Sequence, residues 1–136
     1  MAEARHARGL ADTAVVIDLE KIEPGELPVE VAISAVTLAE LAAGPHVATD
    51  PDERARRQDR IQRAEATFDV FPFDAAAARA YGRIYSAVLA AGRKARGKRA
   101  VDLLIAATAL AAELPLYTRN PADFDGLEHL VEIVAI

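Results

Sequence analysis

The chain is 136 residues long, carries a net charge of −5 and is 52% hydrophobic, which is typical of one globular domain with a hydrophobic core. It contains no cysteine, which excludes disulfides, thiolate metal sites and cysteine nucleophiles. No apolar run approaches the length of a membrane span and the N-terminus lacks a signal-peptide core, so the sequence predicts a soluble cytoplasmic protein without a membrane segment. The acidic charge balance argues weakly against nucleic-acid binding, which basic domains usually perform.

The first half of the chain predicts two strand–helix pairs and a further helix. Residues 1–9 are polar and are predicted to be a flexible lead-in. Residues 10–19 are apolar and partly β-branched, a pattern that predicts a strand running into a short helix. Residues 31–36 predict a buried strand, and residues 37–43 predict a helix that ends at the Gly-Pro pair following it. The next helix is predicted to begin near an Asp-Pro pair and to extend over residues 49–67.

The second half continues the alternation of strands and helices. Asp74 is a favourable N-cap for the alanine-rich helix over residues 75–91, and Gly92 ends that helix. The other predicted elements are a strand over 68–73, a helix over 100–113 and strands over 114–118 and 130–136. Such alternation implies right-handed crossovers and a parallel sheet covered on both faces. We therefore expect a single α/β domain over residues 10–136.

Three acidic residues lie where predicted strands or helices begin or end. Asp12 lies in the first strand, Glu40 follows the second strand, and Asp102 opens an apolar helix. Ligands of parallel α/β sheets bind beyond the carboxyl ends of the strands, so we expect these acids and the segment 118–123 at one edge. Hard carboxylate oxygens suit Mg²⁺ or Mn²⁺. A carboxylate cluster of this kind is a simple apparatus for metal-assisted hydrolysis of a phosphodiester.

Each acid also has a structural explanation. Thr37 and Glu40 have the spacing of a capping box. Asp102 suits the first turn of a helix, where the helix dipole favours negative charge, and Asp123 suits an Asx-turn in a loop. Asp12 is the exception, because a carboxylate inside an apolar strand is costly unless a positive or hydrogen-bonding group meets it.

Two groups of basic residues accompany the acids. The first lies in the predicted helix over residues 49–67 and comprises Arg54, Arg56, Arg57, Arg60 and Arg63. The second ends just before Asp102 and comprises Arg93, Lys94, Arg96, Lys98 and Arg99. Each group is either a solvated face or, beside an acidic pocket, a set of cations for phosphates. The motifs GxxxxGK[ST], GxGxxG and GxSxG do not occur, so nucleotide-loop and hydrolase-elbow functions have no support.

Four segments carry a family resemblance: LADTAVVIDLE, VTLAELAAG, RAVDLLIAATAL and LYTRNPADFDGL. In this order and spacing they resemble the PIN-domain family, and specifically the VapC-type toxins of bacterial toxin–antitoxin pairs. The resemblance implies a three-layer α/β/α fold with a central parallel sheet, an acidic pocket for Mg²⁺ or Mn²⁺, and endoribonuclease activity. The expected chemistry is hydrolysis by a metal-activated water, with Glu40 or Asp123 as the general base.

Matched residue by residue, the resemblance assigns Asp12, Glu40 and Asp102 to the first three acidic positions of the family. Asp12 and Asp102 are expected to contact the metal directly, and Glu40 to bind it through water or to orient the nucleophile. The fourth acidic position holds Asn120, and Asp123 follows it. Either Asn120 supplies a neutral oxygen or Asp123 reaches the pocket. The residues predicted to contact RNA are Thr13, Arg96, Lys98, Arg99, Thr118 and Arg119.

The resemblance also implies protein partners. Apolar surface from residues 75–91 and 38–43 is expected to be buried in a homodimer and against a cognate VapB-type antitoxin. An antitoxin helix would bring a basic side chain to the acidic pocket and so displace the metal. The departure at the fourth acidic position leaves an alternative function open, that of a non-catalytic PIN-like protein-binding module.

Overall fold

The computed structural model describes residues 5–136 and contains a five-stranded sheet whose neighbouring strands are all parallel. The strands are β1 (Arg8–Ala11), β2 (Glu30–Ser34), β3 (Asp69–Phe71), β4 (Leu116–Thr118) and β5 (Ile133–Ala135). Their order across the sheet is β3-β2-β1-β4-β5. The chain therefore places β2 and β3 on one side of β1 and then β4 and β5 on its other side. β1 and β4 flank this topological switch point, where sheets of this kind bind ligands.

Five helices connect the strands: α1 (Thr13–Ile17), α2 (Ala35–Val47), α3 (Pro51–Thr67), α4 (Ala75–Ala90) and α5 (Lys98–Ala112). Four of them begin at a polar N-cap whose side chain accepts a hydrogen bond from the amide three residues on. These caps are Asp12, Ser34, Asp50 and Asp74, the last as predicted. No helix within residues 5–136 is both long and apolar enough to cross a bilayer.

The sheet is covered on both faces because side chains alternate along each strand. Leu10 of β1 and Ala32 of β2 pack into a core cluster with Ile84 of α4 and several residues of α5. Their neighbours Ala11 and Ile33 point the other way, into a second cluster with residues of α1, α2 and α3. The arrangement confirms the predicted three-layer α/β/α domain with a central parallel sheet.

Helix α2 continues past the Gly-Pro pair at which the sequence predicted it to end. The Arg57 guanidinium donates to the carbonyl of Gly44 at 3.0 Å, and that of Arg54 donates to the carbonyls of Pro45 at 3.2 Å and Ala48 at 3.0 Å. Carbonyls at a helix C-terminus lack intrahelical partners. Two arginines of α3 satisfy them here, so the helix extends through a sequence that would end it locally.

The segment before β1 is held to the domain, although residues 1–9 were predicted to be flexible; residues 1–4 lie outside the described part of the chain. The Arg5 guanidinium donates to backbone carbonyls of the β1–β2 connection, and His6 bonds Glu132 at 2.8 Å. Gly9 lies within β1, where a Cβ atom would be 2.5 Å from the buried ring of Tyr117. The lead-in prediction is therefore wrong for residues 5–9, which tertiary contacts anchor.

Candidate active site

The carboxyl ends of β1 and β4 form the centre of the candidate site. Asp12 directly follows β1, and its amide donates to the carbonyl of Tyr117 in β4 at 3.0 Å. Thr118 ends β4 and is fully buried. The structure thus places the first predicted acid at the switch point between the two strands.

Asp12 is a buried carboxylate held by local hydrogen bonds. Its side chain is 6% exposed and accepts a hydrogen bond from the Val15 amide at 3.0 Å, which caps α1. Burial raises the pKa of Asp12 above its ordinary value, and the nearby charges of Asp123 and Glu40 act in the same direction. Bonds from the Thr118 hydroxyl and the Val15 amide oppose the rise in pKa. These bonds compensate only part of the cost of keeping this carboxylate charged.

Asp102 lies in the second turn of α5, because that helix begins at Lys98 rather than at residue 100. The first turn contains no acid, so a helix-dipole role for Asp102 is excluded. Burial raises the pKa of Asp102 to about 6, the charge of Asp123 adds to the rise, and Lys98 opposes it. Asp12 and Glu40 also raise this pKa, which places the four carboxylates in one electrostatic neighbourhood.

Glu40 is held by a hydroxyl chain and not by a capping box. Ser34 is the N-cap of α2 and accepts from the Thr37 amide at 2.9 Å. The Thr13 hydroxyl donates to Glu40 Oε1 at 2.5 Å, and the oxygens of Thr13 and Thr37 are 3.1 Å apart. Because a hydroxyl has one hydrogen, Thr37 supplies the hydrogen of that second bond. The Ser34 hydroxyl in turn donates to Thr37 at 3.3 Å.

The segment after β4 brings Asp123, and not the Asn120 amide, towards the other acids. Asp123 lies in a short 3₁₀ turn over Pro121–Phe124 and is partly buried. Its charge raises the pKa of both Asp12 and Asp102. Asn120 is exposed, and its backbone amide donates to Thr118 Oγ1 at 3.0 Å. Within residues 5–136 no hydrogen bond involves the Asp123 side chain, so it forms no Asx-turn there.

The basic run before Asp102 divides into two kinds of residue. Arg93 and Arg99 donate to backbone carbonyls of residues 122–125. Lys94, Arg96 and Lys98 are exposed, and the structure records no hydrogen bond or ion pair from them to the described residues. The side chains of Arg96 and Lys98 are therefore accessible to a ligand, and their contact with RNA stays a prediction.

Two further residues that were predicted to contact RNA have side chains that bond other residues of the protein. Thr118 has no exposed surface, so its hydroxyl cannot reach RNA and that prediction is wrong; it serves Asp12 and the Asn120 amide instead. Arg119 lies 3.6 Å from Asp18 in an ion pair, with about a third of its side chain exposed.

Three of the five arginines in the basic group of α3 form ion pairs within their own helix, and Arg54 bonds carbonyls at the end of α2. Glu53 pairs with Arg56 at 2.7 Å and with Arg57 at 2.9 Å, while Asp59 pairs with Arg63. Ion pairs of this spacing are typical of a solvated helix surface. The group therefore fits the solvated-face interpretation rather than phosphate binding.

The donor chemistry of the site fits a hard divalent cation. Asp12, Glu40, Asp102 and Asp123 supply only carboxylate oxygens, which Mg²⁺ and Mn²⁺ prefer. The charge of Lys98 lowers the pKa of Asp102 and so opposes the effect of the other acids. In the part of the chain that the structure describes, no three acidic, histidine or cysteine side chains are already arranged to hold one ion. The structure therefore presents four acids in one neighbourhood rather than a formed set of ligands.

Sequence reasoning missed three residues that support the site. Ser34 and Thr37 hold Thr13 and Glu40, and Arg93 binds the turn that carries Asp123. Ser34 is a favourable N-cap residue and could have located the start of α2 two residues earlier. No local signal indicated the partner of Arg93, because its carbonyl acceptors lie 29 and 32 residues away.

Comparison with known proteins agrees with this geometry. Residues 10–129 match the PIN domain family. The chain is 35% identical over 135 residues to Ribonuclease VapC5 of Mycobacterium tuberculosis, a match that covers 96% of each protein. It is 37% identical over 110 residues to Ribonuclease VapC8 of the same organism, covering 80% of this chain and 96% of that protein.

A solved structure extends the similarity to three dimensions. The crystal structure of VapBC-5, a member of the VapBC family of toxin–antitoxin systems from Mycobacterium tuberculosis, matches with a TM-score of 0.84 and 35% identity. The match covers 96% of this chain and 99% of that chain. Fold and site together define an α/β domain with a group of acidic residues near the carboxyl ends of its strands. The chain belongs to the PIN-domain family, as a VapC-type member.

Proposed function

We propose that this protein is a metal-dependent endoribonuclease, the toxin of a toxin–antitoxin pair. One observation carries the proposal: four carboxylates lie in one electrostatic neighbourhood beyond the ends of parallel strands, where Asp123, Asp12 and Glu40 raise the pKa of Asp102 and Lys98 opposes the rise. Such uncompensated negative charge in a partly buried pocket favours a divalent cation. The related VapC5 and VapC8 proteins are named ribonucleases, which supports RNA as the substrate.

We assign Asp12, Asp102 and Asp123 to direct metal contact and Glu40 to the nucleophile. Bound Mg²⁺ or Mn²⁺ would neutralise the scissile phosphate and lower the pKa of an attacking water. The Thr13 hydroxyl occupies one oxygen of Glu40 and fixes the direction in which the carboxylate faces. Glu40 can then accept a proton from the water as it attacks phosphorus, while the P–O bond to the leaving oxygen breaks and that oxygen takes a proton from solvent.

Exposed cations beside the acids would bind the RNA backbone. Lys98 is the first residue of α5, the helix that contains Asp102, and Arg96 lies just before that helix. Contacts from these side chains to phosphates would position the strand without reading its sequence. Because such contacts release counterions, RNA affinity should fall as salt concentration rises.

The proposal includes partners. The structural match to a toxin–antitoxin complex supports a VapB-type antitoxin that inhibits cleavage. Two large apolar side chains on α4, Tyr85 and Leu89, are 41% and 55% exposed, and we place them in a homodimer interface. Action on cellular RNA would place the protein in the cytoplasm.

RNA cleavage by Asp102→Asn tests the catalytic assignment. The variant removes the carboxylate charge and keeps the side-chain shape, so we expect a loss of cleavage of at least roughly a hundredfold with the fold retained. Asp52→Asn, at an exposed position of α3, is the matched control and should cleave normally. Full activity in a folded Asp102→Asn protein would refute the assignment. Partner binding without cleavage by the wild type at any Mg²⁺ or Mn²⁺ concentration would favour the non-catalytic module.

A further inference from the structure

The segment that carries Asp123 is fastened to the rest of the domain by two arginines. Arg93 Nη1 donates to the carbonyl of Ala122 at 3.0 Å and to that of Asp125 at 3.2 Å. Arg99 Nη1 donates to the carbonyl of Asp123 itself at 3.0 Å. Arg93 reaches the segment from the connection between α4 and α5, and Arg99 reaches it from the first turn of α5. The carbonyls of Ala122, Asp123 and Asp125 therefore each accept a hydrogen bond from one of these two side chains.

Electrostatic repulsion between Asp123 and the other acids explains why the turn needs these hydrogen bonds. Asp123 raises the pKa of both Asp12 and Asp102, so its carboxylate is repelled by the two acids until a cation lies among them. The turn has its own anchor in the buried side chain of Phe124, on the residue after Asp123. The guanidinium groups add directional bonds to the carbonyls on either side of that anchor.

We propose that Arg93 and Arg99 are positioning residues that hold the Asp123 turn against repulsion and so preorganise the acidic site for its metal. The inference rests on the proposed function. It also changes the role of Arg99, which the sequence analysis assigned to RNA contact. The adjacent Lys94 and Arg96, whose side chains bond none of these carbonyls, supply controls of equal charge within six residues of chain.

Mn²⁺ affinity measured by electron paramagnetic resonance without RNA tests the proposal. We expect Arg93→Ala and Arg99→Ala each to bind Mn²⁺ roughly tenfold more weakly, as loss of a charge-assisted bond implies. Lys94→Ala should bind Mn²⁺ and cleave RNA as the wild type does. Arg96→Ala should keep its Mn²⁺ affinity and raise KM for RNA. Arg99→Lys should recover part of the affinity, because an ammonium group can still donate to one carbonyl.

Amide hydrogen exchange in the metal-free protein supplies the second measurement. The amides of residues 122–127 should exchange faster in Arg93→Ala and Arg99→Ala than in Lys94→Ala, while the core of α5 stays protected. Unchanged exchange together with Mn²⁺ affinity within about twofold of wild type would overturn the proposal. If an alanine variant does not fold, Arg93→Lys or Arg99→Lys provides the same comparison at that position. A wild type that binds no Mn²⁺ would instead refute the proposed metal site, and exchange alone would then decide whether the arginines position the turn.

Discussion

Thr13 and Glu40 are joined by a hydrogen bond of 2.5 Å between the threonine hydroxyl and a carboxylate oxygen. The two residues are 27 positions apart and lie on different helices, Thr13 at the start of α1 and Glu40 in the second turn of α2. Thr37 and Ser34, both fully buried, continue the chain of hydroxyl groups into the core. The acid that we assign to the nucleophile is thus oriented by a hydroxyl group that buried hydroxyls hold in place.

Thr13→Val should lower kcat for RNA cleavage by roughly tenfold, because it removes a donor to a charged acceptor without changing the side-chain volume. Thr13→Ser keeps the hydroxyl and should retain most of the activity. Single-turnover cleavage rates compare the two variants, with a thermal melt of each protein as a check on folding. Wild-type turnover by Thr13→Val would mean that Glu40 needs no such support.

Acid should stabilise the metal-free protein through Asp102. Its folded-state pKa of about 6 lies above the ordinary 3.8, so its protonation favours the folded state. The stabilisation is full below the ordinary pKa and is lost as pH rises through about 6. Asp12, whose pKa is also raised, acts in the same direction.

Comparing Asp102→Asn with wild type isolates this effect from all other titrating groups. At about pH 8 and with chelator present, the variant should be the more stable by roughly 1 kcal/mol, or about 3 °C in Tm, after allowance for solvent screening. The difference should shrink towards about pH 5 as Asp102 becomes protonated in the wild type. A difference in Tm that stays constant with pH would contradict the raised pKa.

Local sequence determined much of the fold because caps and strand patterns are short-range signals. Asp74 predicted the start of α4 from its own position, and apolar runs predicted five parallel strands. Helix α2 was predicted too short because its last carbonyls are satisfied by Arg54 and Arg57 of the next helix. Residues on a different helix decide where α2 ends, and periodicity along one segment does not report them.

The acids of the site were predictable for a similar reason. The residues whose hydrogen bonds hold these acids in place were not. Asp12 follows the first strand, and residues at strand ends of a parallel sheet converge whatever the details of packing. The bonds that hold Glu40 and Asp123 join segments 24 to 32 residues apart. Arg99 and Arg96 are both arginines of the same basic run, so the sequence gives no reason to treat them differently. Only the tertiary structure distinguishes a carbonyl-bound guanidinium from an exposed one.

Gly9→Ala should destabilise the protein because β1 and the Tyr117 ring are in close contact. The added Cβ would lie 2.5 Å from Tyr117 Cε1 and 3.1 Å from Pro28 Cγ, and relieving this overlap should cost about 1–3 kcal/mol. Gly25→Ala is the matched control, since a Cβ there meets nothing within 4 Å. Urea unfolding of both variants measures the difference, and equal stability would show that the Tyr117 ring moves aside freely.

Asp123 and Asn120 are the two candidates for the fourth position of the site, and their alanine variants separate them. Asp123→Ala should weaken Mn²⁺ binding at least roughly tenfold, since it removes a charged ligand. It should also raise the Tm of the metal-free protein, because Asp12 and Asp102 lose a repulsive neighbour. Asn120→Ala should change neither quantity, as its exposed side chain alters no acid of the pocket and the Thr118 bond uses its backbone amide. Weaker Mn²⁺ binding in Asn120→Ala alone would assign the fourth position to the neutral amide, and unchanged binding in both would confine the metal to Asp12, Glu40 and Asp102.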